Sequence, residues 1–211
     1  ASEYRGQTIG STGDVATFSF QCVKIVTCGD GGIVTTTSEE LYEKINRLTW
    51  YGIDKEIKPI SKLDPFPHAP DGLGFKSNMN DIVATLGCTA MDYLDTALEK
   101  RRIVGEKYRS ELGSLSRISL INYKDYWKPN YQIFPIHIQN RNHFSEYMRS
   151  KGIQTVINNR RNDIYDMFGG LCNLPNVKLA DEDVILIPIH NDLTNDDVER
   201  IVSTIKEYDR T

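Results

Sequence analysis

The sequence predicts an α/β fold, on three observations. Strand-like and helix-like stretches alternate along the chain, which is the pattern of α/β proteins. Two β-branched and aromatic runs, Val15-Ala16-Thr17-Phe18-Ser19-Phe20 and Ile33-Val34-Thr35-Thr36-Thr37, flank a glycine cluster, Gly29-Asp30-Gly31-Gly32. Apolar residues then recur at helical spacing from Ile82 to Leu112, and again from Val198 to Tyr208.

Composition sets the outer limits. A chain of 211 residues suffices for one large domain, or one with a small companion. Its 39% hydrophobic and 26% charged content suits a soluble globular protein. The net charge of −4 provides no basic field for nucleic acid. No apolar run approaches the roughly 20 residues of a membrane span. Ala1-Ser2-Glu3-Tyr4-Arg5-Gly6 shows neither a starting Met nor the apolar stretch of a signal peptide. A cytoplasmic location is therefore expected. Cys22, Cys28, Cys88 and Cys172 form no CxxC pair and have no His at ligand spacing. No metal site is expected, the thiols are expected free, and Cys22 and Cys28 read as small buried residues.

The elements follow in order. The run from Val15 is a strand that ends towards Lys24, and the glycine cluster turns the chain into the strand from Ile33. Thr37-Ser38-Glu39-Glu40 has the form of a capping box, and Leu41, Ile45 and Leu48 continue a helix that Gly52 ends. Residues 54–74 read as a long loop, with Pro59, Pro65, Pro67, Pro70 and the turn Asp71-Gly72; loops of that length are functional or disordered. One helix is expected over 80–112, with Gly87 and Gly105 as points of close packing and Glu99-Lys100-Arg101-Arg102 as a solvated stretch. At 1.5 Å per residue it would run roughly 45–50 Å, enough to leave one domain and enter another. Residues 113–211 read as a small α/β domain. It comprises a strand over 131–139 placed at an edge by Pro135, a helix carrying Phe144, Tyr147 and Met148 and closed by Gly152, and a strand over 153–157. A strand over 184–189 interrupted by Pro188 follows, and then a helix opened by Thr194 to Asp197. The expected division is thus 1–79, 80–112 and 113–211.

Lys24 is the residue that points to chemistry. A lysine is usually a solvated charge. Schiff-base chemistry needs one held still and partly desolvated, and the end of a strand before a glycine turn is a place to hold one. Of the histidines, His137 reads as a packed or edge residue, His68 and His143 as exposed, and His190 as a possible cleft residue.

The residues around Lys24 carry a resemblance. Gly13-Asp14, Phe18-Ser19-Phe20-Gln21-Cys22-Val23-Lys24 and Gly29-Asp30-Gly31-Gly32 are similar to the cofactor-lysine motif of the DegT/DnrJ/EryC1/StrS family of sugar aminotransferases. Gly74-Phe75-Lys76-Ser77-Asn78-Met79-Asn80-Asp81-Ile82, leading to Ala84-Thr85-Leu86-Gly87, resembles a second family segment. Asn159-Arg160-Arg161-Asn162-Asp163 and Ile187-Pro188-Ile189-His190 are weaker matches.

The resemblance implies the C-terminal part of a fold type I (aspartate aminotransferase-like) large domain, followed by a small α/β domain. It implies pyridoxal 5'-phosphate as cofactor, a nucleotide-linked keto sugar and L-glutamate as substrates, and a homodimer with shared sites in polysaccharide or glycoconjugate synthesis. Lys24 would hold the cofactor and move the proton. Ser19 would bind its phosphate, and Asn78 the phosphate in the neighbouring subunit. Some members place that asparagine at the position of Lys76, so the two alignments stand side by side, and a helix cap is the other reading of Asn78. Lys76, Gln21 and Arg161 would face the sugar nucleotide. Many members have His where this chain has Gln21 and in the segment where it has Asn158 and Asn159. A dehydratase branch has His in place of the lysine, which Lys24 argues against. The family's phosphate-loop glycine, ring-stacking aromatic residue and ring-nitrogen aspartate would fall before Ala1. A truncated, non-catalytic interaction module is accordingly the alternative reading.

Overall fold

The computed structural model describes residues 1–54, 63, 72–157 and 160–211. The prolines and His68 of the long loop, with Asp71, Asn158 and Asn159, lie outside the described residues. Two compact units emerge, one of residues 1–95 with 126–128, the other of residues 96–125 with 129–211.

In the first unit, β1 (Glu3–Tyr4) and β2 (Gln7–Thr8) form a hairpin. Its two turn residues, Arg5 and Gly6, have φ of 53° and 76°. Positive φ at both central positions gives the turn twist that matches the flanking strands. Next, β3 (Val15–Ser19) and β4 (Gly32–Thr36) pair antiparallel, from Val15↔Thr36 to Ser19↔Gly32. A Cβ on Gly32 would stand 2.8 Å from the Phe18 carbonyl oxygen, so only glycine closes this end of the ladder.

Helix α1 spans Glu39–Thr49 and is capped by Ser38, whose hydroxyl accepts from the Leu41 N–H. The cap is one residue later than Thr37, and its third helical residue is an apolar Leu41, so the reciprocal half of the expected box cannot form. Gly52, at φ 77°, stops the helix as expected and donates to the Arg47 carbonyl. In place of one helix over 80–112 there are two, α2 (Asp81–Met91) and α3 (Leu94–Leu112). Asp92 is a weak helix former and lacks a favourable charge position at a helix C-terminus, whereas Asp95 suits a helix start.

The second unit is built on β5 (Ile118–Leu120), β7 (Phe134–Ile138) and β8 (Val184–Ile187), antiparallel in the order β5-β7-β8. The strand between them in sequence, β6 (Trp127–Lys128), pairs instead with β1 in the first unit. Pro135 therefore lies in the central strand, contrary to the edge position expected of it. The reason it fits is that β5 pairs only Ile136–Ile138, leaving β7 open on that side at Pro135. The expected strand over 153–157 is reduced to a single bridge, Val156↔Leu186.

Helices α4 (Arg141–Ser150), α5 (Pro175–Asp183) and α6 (Asn195–Asp209) complete the unit. Thr194 and Asp197 form the expected reciprocal cap of α6. Val198, Ile201, Val202, Ile205 and Tyr208 face a core shared with Tyr108, Leu112, Ile136, Phe144 and Ile185.

The stretch 99–102 is not uniformly solvated. Arg101 is buried, with Nε donating to Asn191 at 3.0 Å and one terminal nitrogen donating to the carbonyls of Tyr131, Gln132 and Ile189. Burial lowers its pKa, with Asp192 opposing that shift. Among the described residues no helix is long and apolar enough to cross a membrane.

Candidate active site around Lys24

The chain leaves β3 after Ser19 and returns to β4 at Gly32, and Lys24 lies on the intervening loop rather than at the strand end. The loop is pinched at its neck. Phe20 donates its N–H to the Gly31 carbonyl at 2.8 Å, and its own carbonyl accepts from the Cys28 N–H at 3.0 Å. The same carbonyl accepts from the Thr27 hydroxyl at 3.1 Å, with the Cys28 thiol at 3.8 Å. The Thr27 oxygen in turn accepts from the Gly29 N–H at 3.0 Å. Within the loop, Lys24 donates its N–H to the Gln21 carbonyl at 2.9 Å.

The floor is anchored by Val26 and Cys28, both buried. Cys28 fits between two glycines. A Cβ on Gly31 would stand 2.6 Å from its sulfur, and one on Gly87 of α2 would stand 3.6 Å from its Cβ. A Cβ on Gly31 would also reach the Met79 methyl at 2.9 Å, so the segment entering α2 packs on the same floor. Cys28 is thus the small buried residue expected of it. Cys22 is not: it lies exposed on the loop and accepts from the Gln21 amide.

Lys24 itself is exposed, so the partial desolvation expected of it is absent within this chain. Ser19 and Asn78 are exposed too. The Ser19 oxygen accepts a long 3.3 Å bond from the Gln21 N–H, which leaves its proton to donate outward. Asn78 precedes the helix rather than starting it. The cap of α2 is Asn80, whose side chain accepts from Val83 N–H at 3.0 Å, while Asn78 uses its N–H on the Thr49 carbonyl. The cap reading of Asn78 therefore belongs to Asn80, and the Asn78 carboxamide has no protein partner among the described residues.

Two other predicted residues are already engaged. The Lys76 ammonium stands 4.9 Å from the centre of the Trp50 ring, and the two residues bridge as paired strand positions. Arg161 grips Asp163 with two nitrogens, the Nε bond being 2.7 Å, and also donates to the Cys172 carbonyl. Asp163 accepts from the Cys172 N–H as well, and the Arg161 bond above all holds its carboxyl at about 2. His143 is exposed and meets the Tyr208 hydroxyl at 2.9 Å. His190 is exposed.

An amine such as that of Lys24 can hold an aldehyde, and a hydroxyl such as that of Ser19 can donate to a phosphate. A primary amine, a hydroxyl with its proton outward and an uncommitted carboxamide lie on the first unit. Thr27, which completes the loop neck, escapes the motif reading; its only signal is a hydroxyl between the two buried residues that follow the lysine.

Comparison with known proteins identifies the family. A model of the DegT/DnrJ/EryC1/StrS aminotransferase family matches residues 1–206. Over 135 residues the chain is 35% identical to a UDP-4-amino-4,6-dideoxy-N-acetyl-beta-L-altrosamine transaminase of Campylobacter jejuni, covering 64% of this chain and 34% of that protein. It is 27% identical to a dTDP-4-amino-4,6-dideoxy-D-glucose transaminase of Shigella dysenteriae over 92% of this chain and 53% of that one. The crystal structure of a sugar aminotransferase from Micromonospora echinospora superposes with a TM-score of 0.90 at 27% identity, over 98% of this chain and 55% of that chain. The chain spans about half the length of the relatives it matches end to end. By sequence and by fold, it belongs to the DegT/DnrJ/EryC1/StrS aminotransferase family.

Proposed function

We propose that this chain carries the cofactor lysine of a pyridoxal 5'-phosphate-dependent aminotransferase. Its substrates would be a nucleotide-linked keto sugar and, as amino donor, L-glutamate. The observation that carries this reading is Lys24, displayed on a loop closed at Phe20 and anchored through Cys28, with Ser19 beside the neck. Two relatives named as transaminases of nucleotide-linked amino sugars support the substrate class.

The cofactor supplies an aldehyde and an electron-withdrawing ring that loosens a bond at the amino carbon. The Lys24 amine would hold that aldehyde, and the same amine would take and return the proton at the substrate carbon. Ser19 would donate its proton to the phosphate, and Asn78 would donate its amide to a phosphate in a second subunit of a homodimer. Gln21, Lys76 and Arg161 are assigned to the sugar nucleotide. Of these, Gln21 is the most available, because Trp50 and Asp163 already occupy the other two. A cytoplasmic place in polysaccharide or glycoconjugate synthesis follows from such a substrate.

The test is direct. Pyridoxal phosphate added to the chain should give an absorbance band of a lysine adduct, fixed at Lys24 after borohydride reduction and located by peptide mass. Lys24→Ala should abolish it. An equal band in Lys24→Ala would overturn the assignment, and no band in either, beside a band from a longer chain, would favour a non-catalytic fragment.

A further inference from the structure

We infer that Thr27 is a positioning residue for Lys24, acting through the neck of the loop. The inference rests on the cofactor-lysine reading for its functional meaning, but its geometry stands independently. Phe20 and Cys28 close the neck with a backbone bond, and Thr27 is the side chain that locks it. Its hydroxyl donates to the Phe20 carbonyl at 3.1 Å and accepts from the Gly29 N–H at 3.0 Å. One oxygen therefore ties the start of the loop to the glycine turn that leads into β4.

Lys24 lies between these two anchor points. Its own restraint is a single local bond to the Gln21 carbonyl, and its side chain has no protein partner among the described residues. The neck and the buried Val26 and Cys28 are the restraints on the path of the backbone that lie on either side of it. Val26 and Cys28 fix the depth of the loop through packing, which is non-directional. The Thr27 hydroxyl adds direction, because both its bonds require one rotamer, and a β-branched side chain is stiff about χ1. A valine has the same shape and neither bond. It would leave the Gly29 N–H without its partner and the Phe20 carbonyl with the Cys28 N–H.

The experiment compares Thr27→Val and Thr27→Ser in the full chain by two readouts. Hydrogen exchange without cofactor reports the loop alone. Thr27→Val should speed exchange of the Cys28 and Gly29 amides about tenfold, the effect of losing a hydrogen bond of ordinary net strength. Amides of α6 should keep their protection, and Thr27→Ser should restore wild-type rates. The second readout is the pH midpoint of the lysine–pyridoxal phosphate absorbance band, which Thr27→Val should shift and Thr27→Ser should return. Wild-type exchange in Thr27→Val, or a serine variant that behaves like valine, would overturn the inference. So would altered exchange with an unmoved midpoint, because the bond would then be structural only. If wild-type chain gives no band, the cofactor reading fails by itself, and the positioning role, which depends on it, is overturned with it; exchange then still decides whether Thr27 locks the loop.

Discussion

Asp163 and Arg101 show how two charged side chains serve the second unit in different ways. Asp163 is lowered from 3.8 to about 2, chiefly by the Arg161 hydrogen bond and next by the Cys172 N–H. A carboxyl depressed in the folded state adds stability that is full above its unfolded value and is lost as pH falls through its folded one. The segment from Arg161 to Cys172 should therefore hold at neutral pH and loosen between about pH 4 and pH 2. Limited proteolysis across that range should show the onset of cutting, and Asp163→Asn should be cut already at neutral pH. Arg101 is different, since among the described residues no carboxylate bonds to it and three backbone carbonyls accept from it. Arg101→Leu would leave those carbonyls and Asn191 without a donor, at a cost of about 3 kcal/mol by chemical denaturation. Its sequence neighbours disguise it: in a run of four charged residues, nothing but the tertiary contacts distinguishes the buried one.

Glycines in the two long helices have opposite roles. On α3, a Cβ at Gly105 would stand 2.6 Å from the Tyr131 ring, and that ring is buried. On α2, the nearest atom to such a Cβ at Gly87 is 3.6 Å away, an ordinary contact. Alanine gains about 1 kcal/mol of helix propensity at either place, whereas overpacking costs about 1–3 kcal/mol. Gly87→Ala should accordingly be neutral to stabilising, and Gly105→Ala destabilising by up to about 2 kcal/mol; in thermal melts Gly105→Ala should lower Tm and Gly87→Ala should not. Both glycines are visible in the sequence as breaks in helix propensity, yet their difference is not, because it depends on Tyr131 and Cys28, which lie far from them along the chain.

How much of the molecule can be read in advance depends on how local the signal is. Helix α6 is legible because Thr194 and Asp197 mark its start and five apolar residues keep one face. The β3–β4 pair is legible because the glycine cluster lies between its strands. The interruption at Asp92 is not, since apolar spacing continues across it. Strands β1, β2 and β6 have two residues each and no period to detect. The loop neck joins residues eight apart through a backbone carbonyl, which leaves no trace in side-chain pattern.

The pairing of β1 with β6 has one more consequence. Glu3 faces Lys128 in register, and their side chains form an ion pair across 125 residues of chain. In the order of synthesis β6 follows β1 and β2 only after α1, α2 and α3. Until then β1 has one unpaired edge, which its two-residue length keeps short. Contacts of such long range form slowly, because closing the loop precedes any gain from it. The pairing of β1 with β6 is thus completed only once residue 128 has been made.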